Sequence, residues 1–292
     1  MSSSGLRIVA ARVAAARVAA ERRSRAASTP GRIHRDGRHR RIQQTHSSNL
    51  WHGRAVETPD LVTRLAAEPS RAAILLDVDG TLAPIVARPE LARVPPDTRA
   101  ELARLAGRYA LVACISGRPS AQVRELVDVD GLAYVGEHGL ELDPEAERWR
   151  GRLDEFLATV DLPVETKRLS ASFHYREADD PAAARAQLER VAERARAAGL
   201  RPRWGRMVLE IRPPVDADKG TAVRRLLEQH GLRRALYAGD DQTDLDAFRG
   251  LDGLELAVRV AIASGEAPSE LSSRADVVLT SPDELARLLR VL

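Results

Sequence analysis

Short apolar runs alternate with helix-like segments from about residue 71 to the end of the sequence. AAILL at 72–76 and LVACI at 111–115 contain no charged side chain, which is typical of strands that are buried on both faces. PPDTRAELARLAGRY, at 95–109, begins with prolines and places Leu102 and Leu105 on one side, as an amphipathic helix does. The alternation predicts an α/β fold with a Rossmann-like parallel sheet and helices on both of its faces.

The stretch from about residue 140 to residue 214 has a different pattern. Two helix-like segments, RLDEFLATV and DPAAARAQLERVAERARAAG, each precede an extended segment, SASFHYR and RPRWGRMVLEIRP. Strands and helices inserted between the two halves of a parallel sheet are expected to form a separate unit. We therefore predict an inserted, smaller α/β cap domain at 140–214, with residues 59–139 and 215–292 forming the core domain.

The basic charge of the sequence is concentrated near its beginning. Residues 1–50 contain 11 Arg and two acidic residues, whereas the remainder has a net charge of −6. ARVAAARVAA is a low-complexity repeat, and we expect residues 1–58 to form a disordered, Arg-rich extension. Its composition also resembles a transit peptide, and a basic tail can bind nucleic acid or an anionic membrane surface, so these alternatives stay open.

Several classes of protein are disfavoured by the composition. No apolar run approaches the roughly 18 residues of a membrane helix. The acidic body and an aromatic content of 3% argue against nucleic-acid binding as the main role. Cys114 is the single cysteine and cannot form an internal disulfide, which favours a cytoplasmic protein.

Polar clusters follow the predicted strands. In open α/β sheets the carboxyl ends of the strands meet at the edge where ligands bind, so we expect these clusters to converge. Of 45 basic residues only two are lysines, so each lysine is a candidate for a position where a compact ammonium is required, with chance survival as the alternative. The clusters are Asp77 with Asp79, Ser116-Gly117-Arg118, Lys219 at a helix start, and Asp240, Asp241 and Asp244.

The motifs DVDGT, SGR, DKG and GDDQTD occur in this order. The arrangement resembles the haloacid dehalogenase superfamily of phosphohydrolases over about residues 71–290. DVDGTLAPI, the cap segment with Lys167 and HYR, LEIRP and GDDQTD further resemble the trehalose-6-phosphate phosphatases. A calcium loop is disfavoured because Gly80 directly follows the second acid of DVDG, with no third acid before it. Alone, GDDQTD could be an Asp-rich turn and SGR an ordinary turn.

The resemblance implies a core of haloacid dehalogenase type and a Mg²⁺-dependent phosphatase that hydrolyses trehalose 6-phosphate through an aspartyl phosphate. Asp77 would be the nucleophile, Asp79 the general acid and base, and Lys219 the cation that balances the transferring phosphoryl group. Oxygen ligands suit Mg²⁺. The implied metal ligands are Asp77, Asp79 through its backbone carbonyl, Asp240, Asp241 and Asp244.

The same resemblance implies a set of substrate contacts around the phosphate and on the cap. His138 could instead be a structural loop histidine, His174 a surface strand residue, and Glu210 part of a buried salt bridge. A sugar phosphate such as sucrose phosphate, or a non-catalytic sensor role on the same fold, stays an alternative. We expect a monomer with a small-molecule partner. The implied contacts are Thr81, Ser116, Gly117, Arg118, Glu137, His138, Lys167, His174, Arg176 and Glu210.

Overall fold

The computed structural model describes residues 58–86, 88–205, 207–263 and 267–292, which belong to one compact unit. The predictions made for residues 1–57 lie outside these ranges. Among the described residues, no helix combines the length and the apolar character that a bilayer crossing requires.

Within the described ranges, ten strands form two separate sheets. The larger sheet has six parallel strands in the order β10-β9-β8-β1-β2-β3, and the smaller has four antiparallel strands in the order β4-β5-β7-β6. The strands are β1 Ala73–Leu76, β2 Leu111–Ile115, β3 Ala133–Val135, β4 Glu165–Thr166, β5 Ala171–His174, β6 Arg201–Gly205, β7 Val208–Arg212, β8 Arg234–Gly239, β9 Leu256–Ile262 and β10 Val277–Leu279.

The α-helices of the described residues connect these strands, together with three short 3₁₀ helices, Pro69–Arg71, Pro89–Leu91 and Glu137–Leu142. The α-helices are α1 Thr58–Ala66, α2 Pro96–Ala106, α3 Ser120–Val127, α4 Pro144–Arg148, α5 Arg150–Leu157, α6 Pro181–Ala197, α7 Lys219–His230, α8 Asp244–Gly250, α9 Ser269–Arg274 and α10 Pro282–Arg290.

The parallel sheet is covered by helices on both faces, which explains its uniformly apolar strands. Along β1, Ile74 and Leu76 pack with residues of α1, α2 and α10, whereas Ala73 and Leu75 pack with residues of α7 and α8. Because successive side chains of a strand point to opposite faces, every position of β1 is buried. Cys114 in β2 is fully buried in the first of these cores. The predicted fold class is confirmed.

The antiparallel sheet has one apolar and one polar face. Phe173, Leu209 and Ile211 pack against α6 in a core of their own. On β7, Glu210 alternates with these apolar positions and pairs in register with Ser172 on β5 and Arg203 on β6. The extended segment predicted at 201–213 is divided by the structure into two strands that form a hairpin.

Candidate active site at the carboxyl edge of the parallel sheet

A buried lysine connects three polar clusters that are distant in sequence. Asp77 follows β1, Asp244 begins α8, and Lys219 begins α7. The Nζ atom of Lys219 donates to Asp77 Oδ1 and to Asp244 Oδ1, each at 2.7 Å. Burial opposes the charge of Lys219, but Asp244 and Asp77 raise the pKa of its ammonium above the ordinary value. The predicted convergence of these clusters is therefore present in the structure.

Asp244 is fully buried and accepts hydrogen bonds on both oxygens. Its Oδ1 accepts from Lys219 Nζ and from the hydroxyl of Tyr237, each at 2.7 Å. Its Oδ2 accepts from the backbone N–H groups of Asp240 at 2.9 Å and Asp241 at 2.8 Å. The carboxylate thus fixes the loop after β8 as well as the lysine.

Three buried carboxylates, those of Asp77, Asp240 and Asp244, each place an oxygen within 4.8 Å of the others. Burial raises the pKa of Asp77 well above its usual range, although Lys219 opposes this effect, and Asp244 and Asp240 add to it. Burial first, and then Asp244, raise the pKa of Asp240 to about 7. Crowded carboxylate oxygens of this kind fit a hard divalent cation, which would relieve their mutual repulsion.

The other two predicted metal ligands have different surroundings. Asp241 is exposed, and its Oδ1 accepts from the backbone N–H of Gln242. The carboxylate of Asp79 accepts two hydrogen bonds from Arg118, from Nε at 2.7 Å and from a terminal nitrogen at 2.6 Å. Arg118, predicted as a substrate contact, therefore orients the predicted general acid in this structure.

Two small residues shape the space beside Asp77. Thr81 Oγ1 lies 3.5 Å from Asp77 Oδ2 and 3.3 Å from Asp240 Oδ1. Gly80 has φ +81°, and a Cβ atom there would lie 2.1 Å from Asp240 Oδ2. A side chain is therefore excluded at Gly80 by backbone conformation and by space.

Ser116 follows β2 and is almost fully buried, and its Oγ accepts from the backbone N–H of Arg118 at 3.1 Å. The ring of His138 lies against Gly117, since a Cβ on Gly117 would fall 2.6 Å from His138 Nε2. Burial, and then the charge of Lys219, lower the pKa of His138 well below its usual range.

Two of the predicted cap residues reach this region. Lys167 Nζ donates to the backbone carbonyl of Gly117 at 3.1 Å and lies 3.9 Å from Glu210 Oε1. The side chains of Lys167 and Glu210 are only 11% and 9% exposed. Glu210 Oε2 also lies 3.9 Å from Arg212 Nε. The buried salt bridge considered for Glu210 is thus observed.

Glu137 is turned toward the cap rather than toward the buried carboxylates. It is fully buried, and its carboxylate accepts from the backbone N–H of Leu169 at 3.0 Å and from Ser170 Oγ at 2.8 Å. Burial raises the pKa of Glu137, while the hydrogen bonds from Ser170 and Leu169 oppose the increase.

His174 and Arg176 are not brought into the buried cluster. His174 Nε2 lies 2.7 Å from Glu165 Oε2, and both side chains are about half exposed. Arg176 is exposed beyond the end of β5. Their predicted contacts with substrate stay predictions.

Sequence reasoning missed several residues of this region. Tyr237 lies within the apolar β8, so nothing in the sequence distinguished it from an aromatic residue that only packs in the core. Asp246 belongs to the acidic motif GDDQTDLD, and it lies 3.6 Å from Arg203 on β6. Glu141 accepts from the backbone N–H groups of Ser120 at 2.9 Å and Gly136 at 3.1 Å. Partners of this kind depend on where the side chains point and cannot be read from spacing along the chain.

Comparisons with solved structures agree with this architecture. The C-terminal domain of trehalose-6-phosphate phosphatase from C. albicans is 24% identical, with a TM-score of 0.62, and the match covers 80% of this chain and 96% of that one. A haloacid dehalogenase-like hydrolase from Bacteroides thetaiotaomicron is 18% identical, with a TM-score of 0.50, over 75% of this chain and 98% of that one. At these identities the likeness shows a shared fold.

Sequence comparisons identify the family. Trehalose-phosphate phosphatase of Mycobacterium avium is 39% identical over 209 residues, which cover 62% of this chain and 51% of that protein. Probable trehalose-phosphate phosphatase G of Arabidopsis thaliana is 30% identical over 84% of this chain and 75% of that protein. The chain spans about half the length of the first curated relatives. The Trehalose-phosphatase family model matches residues 75–163 and 153–283, so this chain belongs to that family.

Proposed function

We propose that the protein is a Mg²⁺-dependent phosphatase that hydrolyses trehalose 6-phosphate to trehalose and inorganic phosphate. The observation that supports this most directly is the buried cluster of Asp77, Lys219, Asp240 and Asp244 at the carboxyl edge of the parallel sheet. Family membership and relatives that are named trehalose-phosphate phosphatases support the choice of substrate.

In the first step, an oxygen of Asp77 attacks phosphorus while the bond from phosphorus to the sugar oxygen breaks. Lys219 holds Oδ1 of Asp77, which leaves Oδ2, the oxygen beside Thr81, as the nucleophile. Asp79 gives its proton to the departing sugar oxygen, so that trehalose leaves as a neutral alcohol. Lys219 balances the negative charge that gathers around the phosphoryl group.

In the second step, a water molecule attacks phosphorus of the aspartyl phosphate, and Asp79 accepts its proton. The bond from phosphorus to the Asp77 oxygen breaks, which restores the Asp77 carboxylate and releases inorganic phosphate. In this structure Arg118 donates to both oxygens of Asp79, so one of these hydrogen bonds must open before Asp79 can carry the proton that it gives to the sugar oxygen.

The buried carboxylates of Asp77, Asp240 and Asp244 would hold the metal ion. Mg²⁺ bound there would neutralise the repulsion between these acids and an incoming phosphate dianion. Asp241 and the carbonyl of Asp79 stay proposed ligands. Because Asp244 already accepts four hydrogen bonds, we assign it the additional task of holding the loop that carries Asp240.

We propose that residues 140–214 act as a cap over the core formed by 59–139 and 215–292. The polar face of the antiparallel sheet carries Glu210 and Arg203, and the nearby Lys167 reaches Gly117. A disaccharide offers many hydroxyl groups, which paired carboxylate and cationic side chains can bind. We further propose that the enzyme is cytoplasmic and monomeric. Gel filtration can check that it is a monomer.

Phosphate release from a panel of sugar phosphates tests the proposal. We expect trehalose 6-phosphate to be preferred over sucrose phosphate by orders of magnitude in kcat/KM, and a chelator to abolish turnover. Asp77→Asn should reduce kcat by at least about a thousandfold, since the nucleophile is lost. Asp252→Asn, at an exposed carboxylate after α8, is the matched control. Full activity of D77N, or preference for another sugar phosphate, would contradict the proposal.

A further inference from the structure

The carboxylate of Glu137 joins the core to the cap. Glu137 follows β3 in the core, whereas its hydrogen-bond partners, the Leu169 N–H and Ser170 Oγ, precede β5 in the cap. No part of Glu137 is exposed, so a substrate molecule in the cleft cannot contact it without displacing these partners. This geometry departs from the direct sugar contact expected from the sequence.

The core side of this connection is built on the SGR loop. The backbone N–H of Glu137 donates to the carbonyl of Arg118 at 3.0 Å, and that of His138 donates to the carbonyl of Ser116 at 2.9 Å. Glu137, with φ 50°, and His138, with φ 55°, both have left-handed backbone conformations. Such a conformation is unfavourable for a residue with a Cβ atom, so surrounding contacts must hold it in place.

The cap side of the connection is a tight turn that carries Lys167. The backbone N–H of Lys167 donates to the carbonyl of Ser170 at 2.9 Å, which closes the turn 167–170. Glu137 holds the far end of this turn, at Leu169 and Ser170. From the near end, Lys167 extends its ammonium back to the Gly117 carbonyl of the SGR loop. The turn is therefore attached to the core at both of its ends, to Glu137 after β3 at one end and to the SGR loop after β2 at the other.

We propose that Glu137 is a positioning residue that acts through Lys167: it fixes the turn 167–170 and thereby sets the ammonium of Lys167 beside the SGR loop. Glu137 itself does not touch the substrate. The effect of Lys167 on catalysis rests on the proposed phosphatase function. The positioning of Lys167 by Glu137 does not rest on it.

Chemical modification of lysine tests the connection without using activity. Lys167 and Lys219 are the only lysines of the sequence, and Lys219 is 2% exposed. Acylation of Lys167 by a small amine reagent, measured by peptide mass spectrometry with Lys219 as internal reference, should become about tenfold faster in Glu137→Ala, because a lost hydrogen bond to a charged group favours local opening. Glu137→Gln keeps one acceptor and should show a smaller increase.

The matched control is Glu141→Gln. Glu141 is a carboxylate of the same 3₁₀ helix, but its two backbone partners, Ser120 and Gly136, both lie in the core. Loss of the Glu141 carboxylate should leave the acylation rate of Lys167 within about twofold of wild type, because the turn 167–170 keeps its hydrogen bonds to Glu137. Equal acylation rates in wild type and E137A, with both proteins folded by circular dichroism, would overturn the proposal.

Kinetics test the consequence for substrate. In E137A we expect kcat/KM for trehalose 6-phosphate to fall about tenfold or more, while turnover of p-nitrophenyl phosphate, which has no sugar for the cap to bind, changes less than about twofold. The double variant E137A/K167A should be no worse than Lys167→Ala alone. Losses that multiply in the double variant, or an equal loss for both substrates, would show that Glu137 does not act through Lys167. If no sugar phosphate is hydrolysed at all, the proposed function fails, and the acylation rates still decide the connection.

Discussion

Asp244→Asn replaces a buried carboxylate by an amide of nearly the same shape. Both oxygens of Asp244 face donors: Lys219 and Tyr237 on one side, and two backbone N–H groups on the other. An amide has one acceptor and one donor end, so in either orientation its NH₂ group faces donors. In the less costly orientation the NH₂ group lies toward Tyr237, whose hydroxyl can reverse and accept, but Lys219 then faces an N–H group.

The expected loss of stability follows from these contacts. A hydrogen bond to a charged group contributes about 1.5–3 kcal/mol, and removing one partner of a buried ion pair costs about 3–5 kcal/mol. The second partner of Lys219, Asp77, is kept, and the repulsion of Asp77 and Asp240 by Asp244 is removed, so we expect a loss near the lower limit, about 3 kcal/mol. With an m value of about 3 kcal/mol per M, the urea midpoint should fall by about 1 M.

Urea unfolding followed by circular dichroism, in buffer that contains a chelator, measures this loss without any contribution from metal binding. Asp241→Asn is the matched control, because Asp241 is an exposed acid of the same motif, and its effect should stay within about 0.5 kcal/mol. A loss below about 1 kcal/mol in D244N would refute the reasoning, since it would show that the four hydrogen bonds do not outweigh the repulsion among the three carboxylates.

His138 and Arg203 give two further predictions. The pKa of His138 is lowered in the folded state by burial and by Lys219, so below its ordinary value of 6.5 the unfolded chain binds the additional proton. Stability should therefore decrease as pH falls below about 6.5, by up to about 1.4 kcal/mol per pH unit from this residue, and His138→Asn should remove that part of the slope in urea titrations at several pH values. If the difference in free energy of unfolding between wild type and H138N stays the same from pH 5 to pH 7, the pH dependence does not come from His138. The partly exposed pair of Arg203 and Asp246 connects cap and core at 3.6 Å, so Arg203→Ala should raise KM for trehalose 6-phosphate about two- to fivefold at low salt and less at about 0.5 M salt. A salt-independent change in KM would instead point to contact between Arg203 and the neutral part of the sugar.

The sequence was sufficient to predict the sheet and the cluster at its carboxyl edge, because both follow from local patterns. Asp77 directly follows an apolar strand, and Lys219 opens a helix, so the parallel topology alone brings them to one edge. The contacts of the cap could not be predicted in this way. The direction of the Glu137 side chain depends on a left-handed backbone conformation, which a glutamate at that position does not predict. The pairing of Arg203 with Asp246 depends on how the two sheets are placed in space.

The buried position of Cys114 has a practical consequence for testing whether the cap moves relative to the core. Its thiol is fully buried in β2, and burial raises its pKa, so it stays protonated and out of reach of maleimide reagents while the protein is folded. Cysteines introduced at exposed positions, such as Ala100 on α2 and Arg190 on α6, would then be the sites that accept dyes or spin labels. Distances between such label pairs can be recorded in the native background, without first replacing a residue of the central sheet.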